Sequence, residues 1–570
     1  MTDAPAPLIA GDPIDPPPPA LTLPAFVRQR ARRRPASTAI VDAPSGRVID
    51  YGELDRLIGR CAAGLARIGF RRGDTLLLFG PNSPEWVIVA LGAMSVGGRA
   101  TGANPSYTAA ELRHQIRDSE AHVAFTVPGL VDTVREAADG TDCERIVVDG
   151  DAAGCLSLAA LLSGDDPEPA VPQDPDAVAL LPYSSSTTGL PKGVMLTHRA
   201  IVANVCQTLQ SFRWPDDVVS LGFLPMFHAM GFSLVTLCTL AHGAKLVTLP
   251  RFEPESFLGA IATHRVTDLI AVPPVMQFLA AHPLVDRFDL GSLRITGTGG
   301  APMSAALEAR VTQRLGCPCS QGYGMTEVTA AATLGLSPET RRAGSVGRLA
   351  PGVALRVVDP TTCRERGRGE EGEIWIRTPA RLVGYLNNPQ ATAELVTPDG
   401  WIRTGDLGLV DADGFVFITD RLKELIKVKG LQVAPAELEA LLLTHPAVAD
   451  VAVIGRPDER AGELPVAYVV ARGALDADAL KAWPAAAPVR QPMARAPDGA
   501  RLSVALPRLR GRHHGGRRER RERLDLREPG HRAGVDAPGR RGRAGPLRVV
   551  PVAQGPHARA RAHRRSARAV

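Results

Sequence analysis

Lysine is missing from the end of this 570-residue chain: none follows Lys481. No run of about 18 or more consecutive apolar residues occurs, which excludes a membrane-spanning helix. The first twenty residues, rich in Pro and Asp, lack the basic-then-apolar order of a secretory signal, so the cytoplasm is the expected compartment. The eight cysteines are scattered. Their one close pair, Cys317 and Cys319, has no second pair to complete a zinc site, and reduced, buried thiols are expected. Two further absences narrow the chemistry. There is no G-x-x-x-x-G-K-[ST] loop and no G-x-S-x-G elbow, which excludes a Walker-type phosphate site and a hydrolase nucleophile of that kind. No repeat of solenoid period is present. What remains is ample apolar material, 45% of the residues, for more than one core.

Charge divides the chain. After Trp483 there are 22 Arg, no Lys and 6 acidic residues, so the formal +6 of the whole is a tail of +16 on a remainder of −10. The tail also lacks Ile, Phe, Tyr, Trp and Cys, which predicts disorder over 484–570. A basic arm of this kind suits nucleic acid or an anionic membrane. A shift of reading frame accounts for it better, because Ala479–Trp483 reads as a helix that breaks off at Pro484, and Arg-, Ala-, Gly- and Pro-rich text is what a G+C-rich gene yields out of frame. Sequencing the gene across codons 480–515 distinguishes the two.

The most informative segment is Ser184-Ser185-Ser186-Thr187-Thr188-Gly189-Leu190-Pro191-Lys192-Gly193. Hydroxyls, backbone N–H groups and one ammonium gathered in a loop meet the hydrogen-bonding demand of a triphosphate. Apolar runs on either side, Val178–Leu181 and Val194–Leu196, make it a strand-to-strand turn.

This segment resembles the phosphate loop of the adenylate-forming superfamily, which includes acyl-CoA synthetases, 4-coumarate–CoA ligases and luciferases. Three more segments match in order. Gln321-Gly322-Tyr323-Gly324-Met325-Thr326-Glu327 is similar to the family's adenine and magnesium segment, Trp401–Asp406 to its ribose segment, and Asp420–Glu437 to its hinge and the start of its C-terminal domain. The likeness runs from about Leu21 to about Trp483.

The resemblance implies ATP, Mg2+ and coenzyme A as reactants and an acyl-adenylate as intermediate. A carboxylate attacks the α-phosphate, pyrophosphate leaves, and the CoA thiolate then displaces AMP. Both steps depend on positioning and on stabilising phosphate charge. It implies that Ser184, Ser185, Thr187, Thr188, Gly189 and Lys192 hold the phosphates, with Thr188 a weaker magnesium contact. Ser186 replaces a family glycine. Gln321, Gly322, Tyr323 and Gly324 would receive adenine along the Tyr323 ring, with the glycines letting the backbone approach the base. Gly299, Gly300 and Ala301 would border the nucleotide. Thr326 would touch the α-phosphate and Glu327 the magnesium. Asp406 would accept both ribose hydroxyls, with Arg421 beside it, while Lys423, Lys427 and Gln432 would reach the AMP phosphate, pyrophosphate or carboxylate.

For the acid, the resemblance assigns His228 as the gate of a tunnel, with Met230 and Gly231 following it. Met230 stands two places after His228, where plant hydroxycinnamate ligases carry a tyrosine that meets a phenol. Thr298 and Gly299, in the segment Gly297–Pro302, would form a second wall. An apolar acid, aromatic or aliphatic, is implied. Relatives place a catalytic lysine in a P-x-x-x-x-G-K segment near their end, and its absence here predicts slow adenylation, by roughly 100- to 1000-fold or more.

The expected fold is α/β: a large N-terminal domain of layered α/β sheets over 21–420, a small, incomplete α+β domain over 421–483, a disordered Pro-rich leader over 1–20 and the Arg-rich tail. Within it, Leu76–Leu78 and Val123–Val127 read as strands, Pro84–Val96 and Ala110–Ser119 as helices, Asp411–Gly414 as a hairpin turn, Pro435–Leu443 as a helix and Val448–Ile454 as a strand. Two alternatives stay open: an adenylating enzyme of luciferase-like or carrier-loading type, and a nucleic-acid binder acting through the tail.

Overall fold

A computed structural model of the chain describes residues 8–184, 191–428, 431–433, 435–458, 462–472, 475, 480 and 503–505. The residues divide into two compact units, one ending at Lys423 and one beginning at Glu424, three residues beyond the boundary expected from the sequence.

Local signals fix the early elements of the first unit. The apolar run forms the strand Thr75–Phe79, buried along its whole length. Ser83 then starts the helix Pro84–Ser95 by accepting a hydrogen bond from Trp86 N at 3.0 Å, and Pro84 sits where a missing N–H costs nothing. The helix Ala109–Ser119 opens on a capping box between Thr108 and Glu111 and leads into the strand Ala121–Thr126.

Three sheets follow from these alternations. In one, Arg99–Ala103, Thr75–Phe79, Ala121–Thr126 and Arg145–Val148 run parallel, and Val178–Leu180 joins them beside Arg99–Ala103. Lys192–Thr197 lies antiparallel to Val178–Leu180 and also pairs with Tyr183–Ser184, so the hydroxyl-rich segment does connect two strands. In the second sheet, Thr38–Asp42, Lys245–Thr248, Val219–Gly222, Asp268–Ala271, Ile295–Thr298 and Cys319–Tyr323 are neighbours in that order, all parallel, with an antiparallel strand Thr333–Leu334 on the last. The third is antiparallel and contains Gly372–Arg377, Ile402–Val410 and Val416–Arg421. One contiguous apolar cluster, from Leu23 to Val416, fills the space between these layers.

Two expectations are corrected. Residues 8–20 are not a disordered leader: Ile9–Ala10 pairs with Ala354–Leu355, and Gln210 grips the segment by accepting from Asp15 N and donating to Pro13 O, both at 3.0 Å. Proline richness does not prevent this, because one short edge pairing and a side-chain amide satisfy the backbone. Nor is the tail wholly without structure. Ser503–Ala505 forms a strand parallel to Val466–Tyr468. The apolar run Leu502–Leu506 is hidden by the arginine count around it. The other tail residues, and the helix expected at Ala479–Trp483 apart from the buried Leu480, lie outside the described residues.

The second unit contains the strands Ile426–Val428, Leu431–Val433, Val448–Asp458 and Gly462–Ala471 and the helix Pro435–Leu442. Its small core includes Ile426, Leu442, Val453 and Leu480.

Candidate active site

The parallel strands Ile295–Thr298 and Cys319–Tyr323 are adjacent, with Thr298 opposite Gln321. At their carboxyl ends the chain leaves the sheet, and a cleft of about 630 Å³, counted to its open mouth, lies there. Crevices beyond strand carboxyl ends are where open α/β sheets take ligands. Met230, Thr298, Gly299, Gly300, Tyr323 and Thr326 line it, together with Gly322 and Gly324. Leu234, Leu334 and Leu336 of the lining form a small apolar cluster, against which Met230 and Ile270 pack.

Tyr323 ends its strand with the hydroxyl donating to Asp406 Oδ2 at 2.6 Å. Asp406 is buried, and Arg421 Nε donates to its other oxygen at 2.9 Å. The third sheet makes this meeting inevitable, since Asp406 and Arg421 are register partners on paired strands. Burial, then the charge and hydrogen bond of Asp406, push the Tyr323 phenol well above its usual range, so it stays a donor.

Glu327 lies in the short 3-10 turn Thr326–Val328 and is buried. Its Oε1 accepts from the Tyr385 hydroxyl at 2.8 Å. Lys192 Nζ stands 4.9 Å from the centroid of the same Tyr385 ring. Tyr385 thus connects the lysine of the hydroxyl-rich segment to the acidic group expected at magnesium.

The glycines of the Tyr323 segment are required for a reason other than the one expected. A Cβ at Gly324 would stand 1.6 Å from Ala330 O, and one at Gly322 would stand 3.0 Å from Thr333 O. The chain folding back over its own turn, rather than a ligand alone, excludes side chains there. Gly231, the second residue of the π-helical stretch Met230–Leu237, is hemmed in likewise, since a Cβ there would stand 2.2 Å from Pro225 O. Gly300 has φ +80°, a left-handed conformation that glycine adopts without strain.

His228 is half-buried with its ring 4.2 Å from that of Phe227, and burial lowers its pKa to about 4. It is therefore neutral at pH 7. It does not line the cleft, whereas Met230, two residues on, does. Thr298 lines the cleft, and its buried Oγ1 has no hydrogen-bond partner among the described residues. The Gln321 side chain is engaged within the protein: its Oε1 accepts from Met303 N at 3.0 Å and its amide donates to Glu308 at 3.4 Å. Ala301 follows Gly300 and is half-buried.

Ser184 and Lys192 face each other in the Tyr183–Gly193 pairing, while Ser185, Thr187, Thr188 and Gly189 lie outside the described residues. Lys423 is exposed at the end of the first unit. Lys427 and Gln432 belong to the second unit as register partners on its paired strands. Reading the sequence missed Tyr385, Leu334 and Leu336. No local signal marks them: Leu334 reaches the cleft by pairing with Gly322, Leu336 follows it there, and Tyr385 meets the strand carrying Lys192 by pairing with Val194.

Parallel strands ending in a cleft, with a buried carboxylate gripped by a tyrosine at its rim, define an α/β enzyme built around a small ligand. The family of AMP-binding enzymes matches residues 27–386, and the AMP-binding enzyme C-terminal domain matches residues 437–510, extending past Trp483. The chain is 40% identical over 442 residues to "4-coumarate--CoA ligase 1" of Solanum tuberosum, spanning 76% of this chain and 81% of that one. It is 41% identical over 459 residues to "4-coumarate--CoA ligase 5" of Oryza sativa subsp. japonica, spanning 78% and 84%. Among solved structures, ATP-bound MatB from Rhodopseudomonas palustris superposes with a TM-score of 0.76 at 29% identity, covering 84% of this chain and 94% of that one. The chain belongs to the AMP-binding enzymes, in their adenylate-forming acyl-CoA synthetase branch. Among the described residues, no helix is long and apolar enough to cross a membrane.

Proposed function

We propose that the protein is an ATP-dependent carboxylate–CoA ligase that activates an apolar, aromatic or aliphatic acid as its adenylate and passes the acyl group to CoA. The observation that carries this reading is the buried Asp406, held by Arg421 and by Tyr323, which lines a cleft that also carries an apolar cluster. A carboxylate with two oxygens fixed in place can accept both hydroxyls of a ribose, and the Tyr323 ring offers adenine a flat face. The relatives named 4-coumarate–CoA ligases support an aromatic acid.

The residue roles are those that the likeness to adenylate-forming enzymes implies. Lys192 and the hydroxyls of Ser184, Ser185, Thr187 and Thr188 hold the phosphates. Thr326 contacts the α-phosphate. Met230, Thr298 and Gly299 bound the acid. Neutral His228, beside Phe227 and two residues before Met230, gates the access of the acid. Lys423, Lys427 and Gln432 act on the AMP phosphate, pyrophosphate or carboxylate.

Glu327 fits the role of magnesium ligand. It is a buried carboxylate whose one hydrogen bond from the described residues comes from Tyr385, leaving Oε2 for a hard cation. The described residues contain no group of three metal-binding side chains, as suits an ion held by one carboxylate together with nucleotide phosphates and water. Bound there, magnesium would neutralise phosphate charge during pyrophosphate release. The eight cysteines are all free, which suits a reducing compartment, the cytoplasm.

The test is incubation of the full chain with ATP, Mg2+, CoA and hydroxycinnamic or medium-chain acids, with acyl-CoA and AMP measured. Acyl-CoA formed with stoichiometric AMP supports the proposal. Light, or acyl transfer only to a carrier protein, places the chain in another adenylating class. Since no lysine follows Lys481, the first step is expected to be slow, and ATP–pyrophosphate exchange at rates normal for such ligases overturns that part.

A further inference from the structure

The segment Ala380–Leu386 touches two parts of the active site that the proposed function uses separately. On one side Tyr385 pairs with Val194, and Leu386 N donates to Gly193 O at 2.8 Å, which locks the segment to the strand carrying Lys192. On the other, it is tied to the turn carrying Glu327. Leu382 N donates to Glu327 O at 2.8 Å, Thr329 Oγ1 donates to Ala380 O at 2.8 Å, and the Tyr385 hydroxyl donates to Glu327 Oε1 at 2.8 Å. Thr329 holds φ 73°, a left-handed conformation that a threonine keeps only where its surroundings fix it.

From this geometry we propose that Tyr385 is a positioning residue with two ends. Its ring holds the Lys192 ammonium toward the nucleotide phosphates, and its hydroxyl fixes Glu327 so that the other carboxylate oxygen faces a divalent cation. A buried carboxylate with a single neutral donor is under-satisfied, and a cation completes it. A phenylalanine would serve packing alone; the hydroxyl is there for the carboxylate. The inference rests on the reading of Lys192 and Glu327 as phosphate and magnesium groups.

The experiment measures ATP binding to the full chain by calorimetry, without any acid so that no turnover occurs, in EDTA and across a MgCl2 titration. Native protein should bind ATP more tightly with Mg2+. Tyr385→Phe keeps the ring: its ATP affinity in EDTA should match native, while half-saturation by Mg2+ rises about tenfold, as loss of a partner behind a metal-holding carboxylate typically costs. Tyr385→Leu removes the ring too and should also weaken ATP binding in EDTA. On a Glu327→Gln background, Tyr385→Phe should have no further effect, a comparison that a general loss of structure would not reproduce. Native magnesium dependence in Tyr385→Phe overturns the hydroxyl's role, and Tyr385→Leu behaving as Tyr385→Phe overturns the ring's. If the native chain bound ATP identically in EDTA and Mg2+, the reading of Glu327 would itself fall.

Discussion

Replacing Gly324 by alanine isolates the backbone constraint that shapes the cleft. The new Cβ would stand 1.6 Å from Ala330 O, 2.7 Å from Ala330 C and 2.9 Å from Ala331 Cα, where ordinary contact begins near 3.4 Å. The Ala330–Ala331 backbone would have to retreat by well over an ångström, and it is not free to do so. Buried Asn204 donates to Ala331 O at 2.8 Å and accepts from Ala331 N at 3.3 Å, and Ala332 N donates to Tyr323 O at 2.8 Å. Overpacking costs about 1–3 kcal/mol and each of the three displaced hydrogen bonds about 1 kcal/mol, giving about 4–6 kcal/mol in all. That is a large share of a typical total of about 5–15 kcal/mol. Gly405→Ala is the control: its φ is +72° but nothing lies within 4 Å of the added Cβ, so only left-handed strain of about 1–2 kcal/mol applies. Urea unfolding of both variants, followed alongside AMP binding, checks the argument. Gly324→Ala losing no more stability than Gly405→Ala, with AMP affinity intact, would refute it.

Three other outcomes are expected. Because the folded pKa of Tyr323 is raised, its contribution to stability is complete below the unfolded value near 10 and is lost as pH rises beyond it. The native chain should therefore lose stability above pH 10 more steeply than Tyr323→Phe, as measured by unfolding from pH 8 to 11, and parallel curves would contradict the raised phenol pKa that burial and Asp406 produce. His228 has the opposite sign: with its folded pKa lowered to about 4, the native chain should lose stability relative to His228→Gln as pH falls from 6.5 to 4, while catalysis between pH 6 and 8 shows no ionisation from it. Thr298→Val removes a buried oxygen that has no partner, so unfolding midpoints should hold steady or rise; a loss beyond about 1 kcal/mol would mean that Oγ1 is satisfied after all.

Much of this architecture was legible because its signals are local. The apolar runs at Leu76–Leu78 and Val123–Val127 and those flanking the hydroxyl-rich segment each dictate an element within a few residues, and the helices expected from Pro84 and from Ala110 prove to open on local caps. The motifs also pointed to Tyr323, Asp406 and Arg421, which the structure brings into contact. What escaped was set by pairing over distance. Gly384–Tyr385 reaches the site only by adding to a strand nearly two hundred residues earlier, and Leu334 only by folding back on Cys319–Tyr323. Gly324 was noticed for an incomplete reason, since Ala330 crowding it is a tertiary fact. Ile9–Ala10 and Ser503–Ala505 were lost because composition, read over a window, hides a short run able to join a sheet edge.

The central claim is that adenosine monophosphate sits in the cleft lined by Tyr323, with its ribose at Asp406. A crystal of the full chain soaked with AMP tests it most directly. Adenine against the Tyr323 ring and both ribose hydroxyls on the Asp406 carboxylate is the predicted result; AMP bound elsewhere, with Asp406 still contacting only protein, would contradict it.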